Sequence, residues 1–251
     1  MNIEKYLDRI KHRGKSTPNL DLLKKLQKQH LLHVPFENLD IHYNVPIKLD
    51  IDRIYKKIVL NKRGGFCYEL NGLFFKLLIA LNFEARQISA RVYNKEKGYG
   101  KEFDHMAIIV RIDDNEYLTD VGFGDFTFEP LKIDIGKIQY DERGTYLVDK
   151  YNDTYFSVNK TEKGKTTPKY IFQTSGRNFK EFQEMCAYHQ TSPESNFTRN
   201  RLISLPTTNG RITISGNNLK INASDSTTEH EIKDEVEFKQ YLRSLFDIPK
   251  L

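Results

Sequence analysis

Long apolar runs, cysteines, internal repeats and a strong charge bias are all missing from this chain. No stretch approaches the roughly 18–20 consecutive apolar residues of a membrane-spanning helix, which excludes a helical integral membrane protein. The opening residues, Met1 to Lys15, mix acids and bases with no apolar segment, so no secretory signal is expected. Two cysteines among 251 residues are too few for a disulfide framework. Any role for a thiol here is chemical and reduced rather than structural. Lys plus Arg total 39 against 34 Asp plus Glu, a net charge of +5. These cations are scattered rather than gathered in a stripe, which argues against a dedicated nucleic-acid binder. They read first as a solvated surface and are compatible with a small polyanionic ligand.

What is present is a core former. With 14 Tyr and 16 Phe, the chain carries enough apolar surface to fold despite 29% charged residues. Residues 1–83 read as helical. Leu20, Leu22, Leu23, Leu26 and Leu31 recur near the helical period behind a start signal at Ser16-Thr17-Pro18-Asn19. Pro35 breaks that helix, because it disfavours helical geometry at Val34. Asp52–Leu60 reads as a second helix, stopped by Gly64-Gly65, and Cys67–Leu81 as a third. Residues 84–190 change character, with strands expected at 85–92, 104–112, 116–121, 145–148, 155–158 and 169–172, then a helix at 179–189. Residues 191–251 mix a loop, short strands at 201–205, 211–215 and 218–221, and a terminal helix at 235–246. Helices followed by runs of strands indicate an α+β fold in three parts.

The most informative segment is Arg63-Gly64-Gly65-Phe66-Cys67-Tyr68-Glu69-Leu70-Asn71. It places a cysteine after a glycine-rich turn and at the head of an apolar helix. The first amides of a helix are unpaired and partly positive. They favour a thiolate, which predicts a thiol pKa below about 8.5, and they can hold an oxyanion. A buried structural cysteine is the competing reading. A base is available in His105, which opens an apolar run to Ile112. If Asp113-Asp114 forms a two-residue hairpin turn, Asp120 falls opposite Ala107, on the same face as His105. Such diagonal neighbours lie about 7–8 Å apart at Cα, within side-chain reach. The register permits a Cys67–His105–Asp120 set without requiring it.

These segments, taken together and in order, resemble the arylamine N-acetyltransferases over essentially the whole length. Arg63–Asn71 resembles the family's signature around its acetyl-accepting cysteine, and Val34-Pro35-Phe36-Glu37-Asn38 its upstream element. His105-Met106-Ala107 and Asp120-Val121-Gly122-Phe123-Gly124 resemble the segments carrying its histidine and aspartate. Ser192-Pro193-Glu194-Ser195-Asn196-Phe197-Thr198 resembles a further element. No triad position departs from the pattern, whereas residues 132–143 and 160–167 match nothing.

The resemblance implies a helical bundle (1–83), an antiparallel β-barrel-like domain (84–190) and a C-terminal α/β lid (191–251), with a papain-like Cys-His-Asp arrangement. It implies ping-pong acetyl transfer from acetyl-CoA to arylamines, arylhydrazines or N-hydroxyarylamines, in xenobiotic metabolism in the cytoplasm. Cys67 is then the nucleophile, His105 the base and Asp120 its orienter. Phe36, Phe123 and Phe197 line the acceptor cleft, and Gly122 and Gly124 approach the CoA phosphates. Arg63, Glu69 and Asn38 serve as buried polar supports. A papain-like hydrolase or amide synthase with another acyl donor is the alternative, and a non-catalytic CoA- or nucleic-acid-binding protein the second.

No metal, nucleic-acid partner or membrane partner is expected. Cys186/His189 and His30/His33 have ligand-like spacing, but no second cysteine pair completes a structural zinc site. Gly164-Lys165-Thr166 resembles the end of a phosphate loop, yet Asn159 stands where its first glycine is required. Cys186 defaults to a buried spectator.

Overall fold

The computed structural model describes residues 1–14, 17–162, 164–224 and 226–251. The expected start signal at Ser16 falls outside these; Asn19 caps the helix Leu20–His33, its side chain accepting from Leu22 N–H at 2.8 Å. Leu22, Leu23, Leu26 and Leu31 are buried along that helix. The helix Cys67–Ala80 is buried through most of its length, as an apolar sequence with no polar face demands. Between them, the expected helix over 52–60 splits. Ile51–Tyr55 is α-helical, and Lys56–Leu60 widens to π winding, with Asn61 N–H reaching Lys56 C=O. A short helix at Ile3–Arg9 and another at Leu39–His42 have too few periodic residues to be read from sequence.

The architecture is α+β around a nearly closed antiparallel barrel. Strands run in the order 131–132, 115–119, 105–112, 84–94, 165–172, 156–162, 144–150 and 138–141. Gly98–Tyr99 adds to the end of Glu84–Asn94. The outer strands are joined by one side chain. Gln139 accepts from Lys132 N–H and donates to Lys132 C=O, both at 2.8 Å, so its amide reproduces a ladder step. The expected hairpin register holds: Ile112 faces Asn115 and Ile108 faces Thr119, with Asp113 at φ 53° in the turn. Gly164 is a turn residue between two strands, not the lip of a phosphate-binding helix.

A second sheet is a meander of 202–207, 210–215, 218–223 and 226–231, covered by the helix Glu235–Phe246. Its free edge takes Phe36–Glu37 as a fifth strand. The amino-terminal segment is therefore stitched to the carboxy-terminal sheet. Asn38 strengthens the seam: its amide donates to Phe197 C=O and Asn200 C=O, and accepts from Leu202 N–H. Phe36 also bridges to Gly65, and Glu37 N–H donates to Gly65 C=O at 2.9 Å. This close pass explains the paired glycines. A Cβ on Gly64 would collide with Pro35 C=O, and one on Gly65 with Glu69.

Candidate active site

Five charged side chains brace the head of the Cys67–Ala80 helix. Arg63 bonds Glu37 and Asp40 at 2.8 Å each, and Lys57 bonds Asp40 at 2.8 Å and Glu69 at 3.0 Å. Glu69 also accepts from Phe66 N–H, one of the helix's unpaired amides. Burial works to raise the Asp40 carboxyl, but Lys57 and Arg63 overcome it and hold it below its ordinary value. Glu69 is buried more deeply and carries the Glu37 and Asp40 charges beside it. Its pKa rises to about 7 even against Lys57. The network fixes Arg63–Phe66, and with it the entry of Cys67 into the helix.

Cys67 opens onto a cavity of about 480 Å³. That volume falls within the range of small-molecule sites. Phe36, His105, Gly122, Phe123, Gly124 and Phe197 line it too, so residues spread over 160 positions of sequence share one wall. Asp120 lies behind that wall with no exposure. Its Oδ2 is 2.7 Å from His105 Nε2 and 3.2 Å from the Tyr170 hydroxyl. Its Oδ1 accepts from Asn71 Nδ2 and from Gly122 N–H, both at 2.8 Å. Every lone-pair direction of this buried carboxylate is thus used, as a buried charge requires. Asn71, one turn beyond Cys67, also bonds Met106 C=O and Val121 N–H, and so ties helix, histidine strand and aspartate together.

Gly122 has a packing reason for its identity. A Cβ there would stand 2.8 Å from Cys67 Cα and 2.7 Å from Asn71 Nδ2. Gly124 differs: nothing lies within 4 Å of its absent Cβ, so the cavity is open beside it. Phe123 sets its ring edge-on to His105 at 5.4 Å, and Phe197 lies 5.9 Å from Phe36.

One expectation is reversed. The helix end was expected to lower the Cys67 thiol. Burial instead pushes it well above its ordinary value, and the Asp104 and Asp120 carboxylates add to the rise. The Met106 backbone N–H works the other way and favours the thiolate. Helix amides are weak partial charges, whereas loss of water from a fully buried sulfur is a large cost. Cys186 is also buried, and its thiol is pushed up to about 12 by burial and by Glu69. It packs beside Phe66 and Tyr68, and Gln190 Nε2 lies 3.3 Å from its sulfur.

Sequence reasoning missed four ionisable residues on the cavity wall, Asp104, Asp125, His189 and Arg211. His189 Nε2 is 3.3 Å from Asp104 Oδ1, a second histidine–aspartate pair in the same space. Asp125 bonds Lys160 and Lys169 at 2.8 Å each. Burial opposes its ionisation, but these two lysines hold its pKa at about 2. Arg211 donates to Ser204 Oγ at 2.9 Å. No sequence pattern links these residues; the barrel and the meander bring them together. His30 and His33, by contrast, are no ligand pair. His30 is enclosed by Tyr6 and Phe74, and His33 bonds Gln29 C=O at 2.8 Å. Among the described residues no cluster of three metal-ligating side chains occurs.

A family model described as N-acetyltransferase matches residues 19–250. The chain belongs to the arylamine N-acetyltransferase family. It is 30% identical to arylamine N-acetyltransferase 2 of Mus musculus, over 99% of this chain and 94% of that one. The arylamine N-acetyltransferase of M. tuberculosis superposes with a TM-score of 0.91 at 29% identity, covering 98% of this chain and 94% of that chain. The Mycobacterium marinum enzyme in complex with CoA superposes with a TM-score of 0.90 at 27% identity, over 99% of this chain and 93% of that one. The fold is α+β with an antiparallel barrel, like these solved structures. No helix among the described residues is long and apolar enough to cross a membrane.

Proposed function

We propose that Cys67, His105 and Asp120 work as a papain-like nucleophile, base and orienter, carrying acetyl from acetyl-CoA to an aromatic amine. The observation behind this reading is the 2.7 Å His105–Asp120 bond in the wall of a cavity that Cys67 also lines. With Nε2–H donated to Asp120, the basic lone pair of His105 is left on Nδ1. Burial keeps the lone thiol neutral, so the sulfur is activated by handing its proton to a base.

In the first half-reaction His105 Nδ1 takes the Sγ proton as sulfur attacks the thioester carbonyl. A new C–S bond forms, the bond to CoA breaks, and the departing sulfur recovers the proton from the imidazolium. One thioester replaces another, so this half is nearly isoenergetic and reversible. In the second half the amine attacks the acetyl carbon, its proton passes to His105, and the Cys67 sulfur leaves and is reprotonated. The Cys67 N–H heads its helix without an i−4 carbonyl and is the oxyanion donor. Phe36, Phe123 and Phe197 offer aromatic faces to the acceptor ring. Gly122 and Gly124 border the approach of the CoA donor, and the open space at Gly124 supports this placement. Arylhydrazines and N-hydroxyarylamines present the same nucleophilic nitrogen. No step calls for a metal, a nucleic acid or a membrane, and two free thiols suit the reducing cytoplasm.

The test is intact-protein mass spectrometry after brief mixing with acetyl-CoA alone, followed by peptide mapping. One acetyl group on Cys67, discharged by an arylamine, is the expected result. A reactive Cys67 that never acquires acetyl overturns the reading in favour of a hydrolase or amide synthase with another acyl donor.

A further inference from the structure

The charges at the head of the Cys67–Ala80 helix do not balance. Lys57 and Arg63 face three carboxylates, Glu37, Asp40 and Glu69, and no side chain of the five keeps more than 12% of its surface exposed. Three anions against two cations in so dry a place favour holding one proton in the cluster. The bonding pattern says where. Glu37 receives two bonds from Arg63 and one from Leu39 N–H. Asp40 takes Arg63 on one oxygen and Lys57 on the other. Glu69 has no arginine bond: both its oxygens lie 3.0 Å from Lys57 Nζ, which Asp40 also claims at 2.8 Å and Glu37 at 3.6 Å. Cys186, on the helix Gln183–Thr191, faces Glu69 as a neutral thiol and offers no charge to hold it. Glu69 is therefore the carboxylate with the weakest claim on a cation, and its pKa of about 7 agrees with that place in the cluster.

The same carboxylate reaches back to Phe66 N–H at 3.2 Å. Phe66 caps the helix and has no side-chain oxygen, so the reach-back of Glu69 closes the first turn in its stead. The peptide that follows Phe66 carries the Cys67 N–H. We propose that Glu69 is a positioning residue for Cys67: as a carboxylate it clamps Phe66 and steadies the Cys67 N–H, and on taking a proton it releases that clamp. The proposal rests on the acetyl-transfer reading above, in which the Cys67 N–H receives the oxyanion. Glu69 stands two positions along the helix from Cys67, on another face, and so acts through the backbone rather than by touching the reacting atoms. Acetylation of Cys67 then gains a pH dependence that belongs neither to the thiol nor to His105.

The experiment follows acetylation of Cys67 by acetyl-CoA in single turnovers, read by mass, from pH 5.5 to pH 9 in wild type, Glu69→Gln and Lys57→Gln. A hydrogen bond that comes and goes is worth about tenfold in rate. The wild-type rate should therefore rise about tenfold through a midpoint near 7, with the ionised form the faster. Glu69→Gln leaves two cations and two carboxylates, which balance, and should erase that limb. Lys57→Gln withdraws the cation from Glu69 and should move the limb to higher pH. Infrared difference spectra of the resting protein supply a second readout. One buried carboxylic acid should titrate with the same midpoint in wild type and be missing from Glu69→Gln. A limb that stays in place in both variants belongs to Cys67 or His105 and overturns the proposal. Losses of rate that are equal at every pH overturn it in favour of a purely structural brace. If wild type forms no acetyl-Cys67 at any pH, the acetyl-transfer reading fails and takes the proposal with it; if it forms and the limb does not move, only the assignment of Glu69 fails.

Discussion

His105 and His30 are equally enclosed, with 2% and 0% of their surface exposed, yet their surroundings are opposites. His105 stands on a barrel strand with a carboxylate 2.7 Å from Nε2 and a cavity beside its ring. His30 stands in the helical core between Tyr6 and Phe74, and neither ring nitrogen has a partner among the described residues. Burial and the nearby Arg9 and His33 drive the His30 pKa down to about 3. His30 therefore behaves as a flat, neutral aromatic that fills space. The same side chain is packing material in one layer and, in the proposed mechanism, a proton carrier in the next. The difference is made by Asp120 and by the three further groups, Tyr170, Asn71 and Gly122, that hold that aspartate still.

The sharpest way to break the contrast is Asp120→Asn, which keeps the shape and removes the charge. The amide can present its N–H to His105 and leave Nδ1 protonated, the wrong tautomer for a base. We expect acetyl transfer to fall by about 10⁴. Single-turnover discharge of acetyl-Cys67 is the readout, and an unchanged rate would mean that another group orients His105. Removing one of the holders should cost less. Asn71→Ala deletes donors to Asp120 and Met106 and the acceptor of Val121 N–H, and a drop of about ten- to a hundredfold in kcat is expected.

His30 gives the complementary test, on stability instead of rate. Its folded pKa of about 3 lies below the ordinary 6.5. The unfolded chain therefore binds a proton that the folded chain refuses. The stability this confers is complete above pH 6.5 and drains away as pH falls toward 3, by up to about 1.4 kcal/mol per pH unit. His30→Phe keeps the ring and abolishes the titration. Urea midpoints from pH 7 to pH 4 should fall less steeply in the variant; parallel curves would show that His30 is protonated when folded.

How much of this was legible differs sharply between the two layers. The helix Cys67–Ala80 and the register that sets Asp120 beside His105 were readable, because helix periodicity and a two-residue turn are local rules. The strand Ser226–Glu231 was not: every residue in it is exposed and polar, so it has no alternation to detect. Leu131–Lys132 and Ile138–Asp141 escaped for a different reason. They are joined through a glutamine side chain, a tertiary choice that strand propensity does not encode. The direction of the Cys67 thiol was misjudged because helix position is visible in sequence and depth of burial is not. Arg211, His189 and Asp104 were invisible as a group, being assembled by two sheets and a helix.

The smallest expected effect bears on the second histidine–aspartate pair, which shares the cavity with the first. His189 and Asp104 stand 3.3 Å apart, and the Asp104 side chain keeps 21% of its surface exposed. His189 also bonds Ser195 Oγ through Nδ1 at 3.3 Å, so both ring nitrogens are committed to neighbours. A ring with no free lone pair is a poor base, whatever its proximity to sulfur. His189→Gln can retain a polar link to Asp104 and should change kcat by less than about threefold. His105→Gln, in the same assay, should lose activity by about 10³ or more. Were the two losses equal, the base would be shared between the pairs and the single-histidine mechanism would fall. Were they reversed, His189 would take the proton and the Asp120 network would be only a brace for the barrel. The pairwise comparison at constant burial thus isolates what a well-anchored carboxylate adds to a histidine.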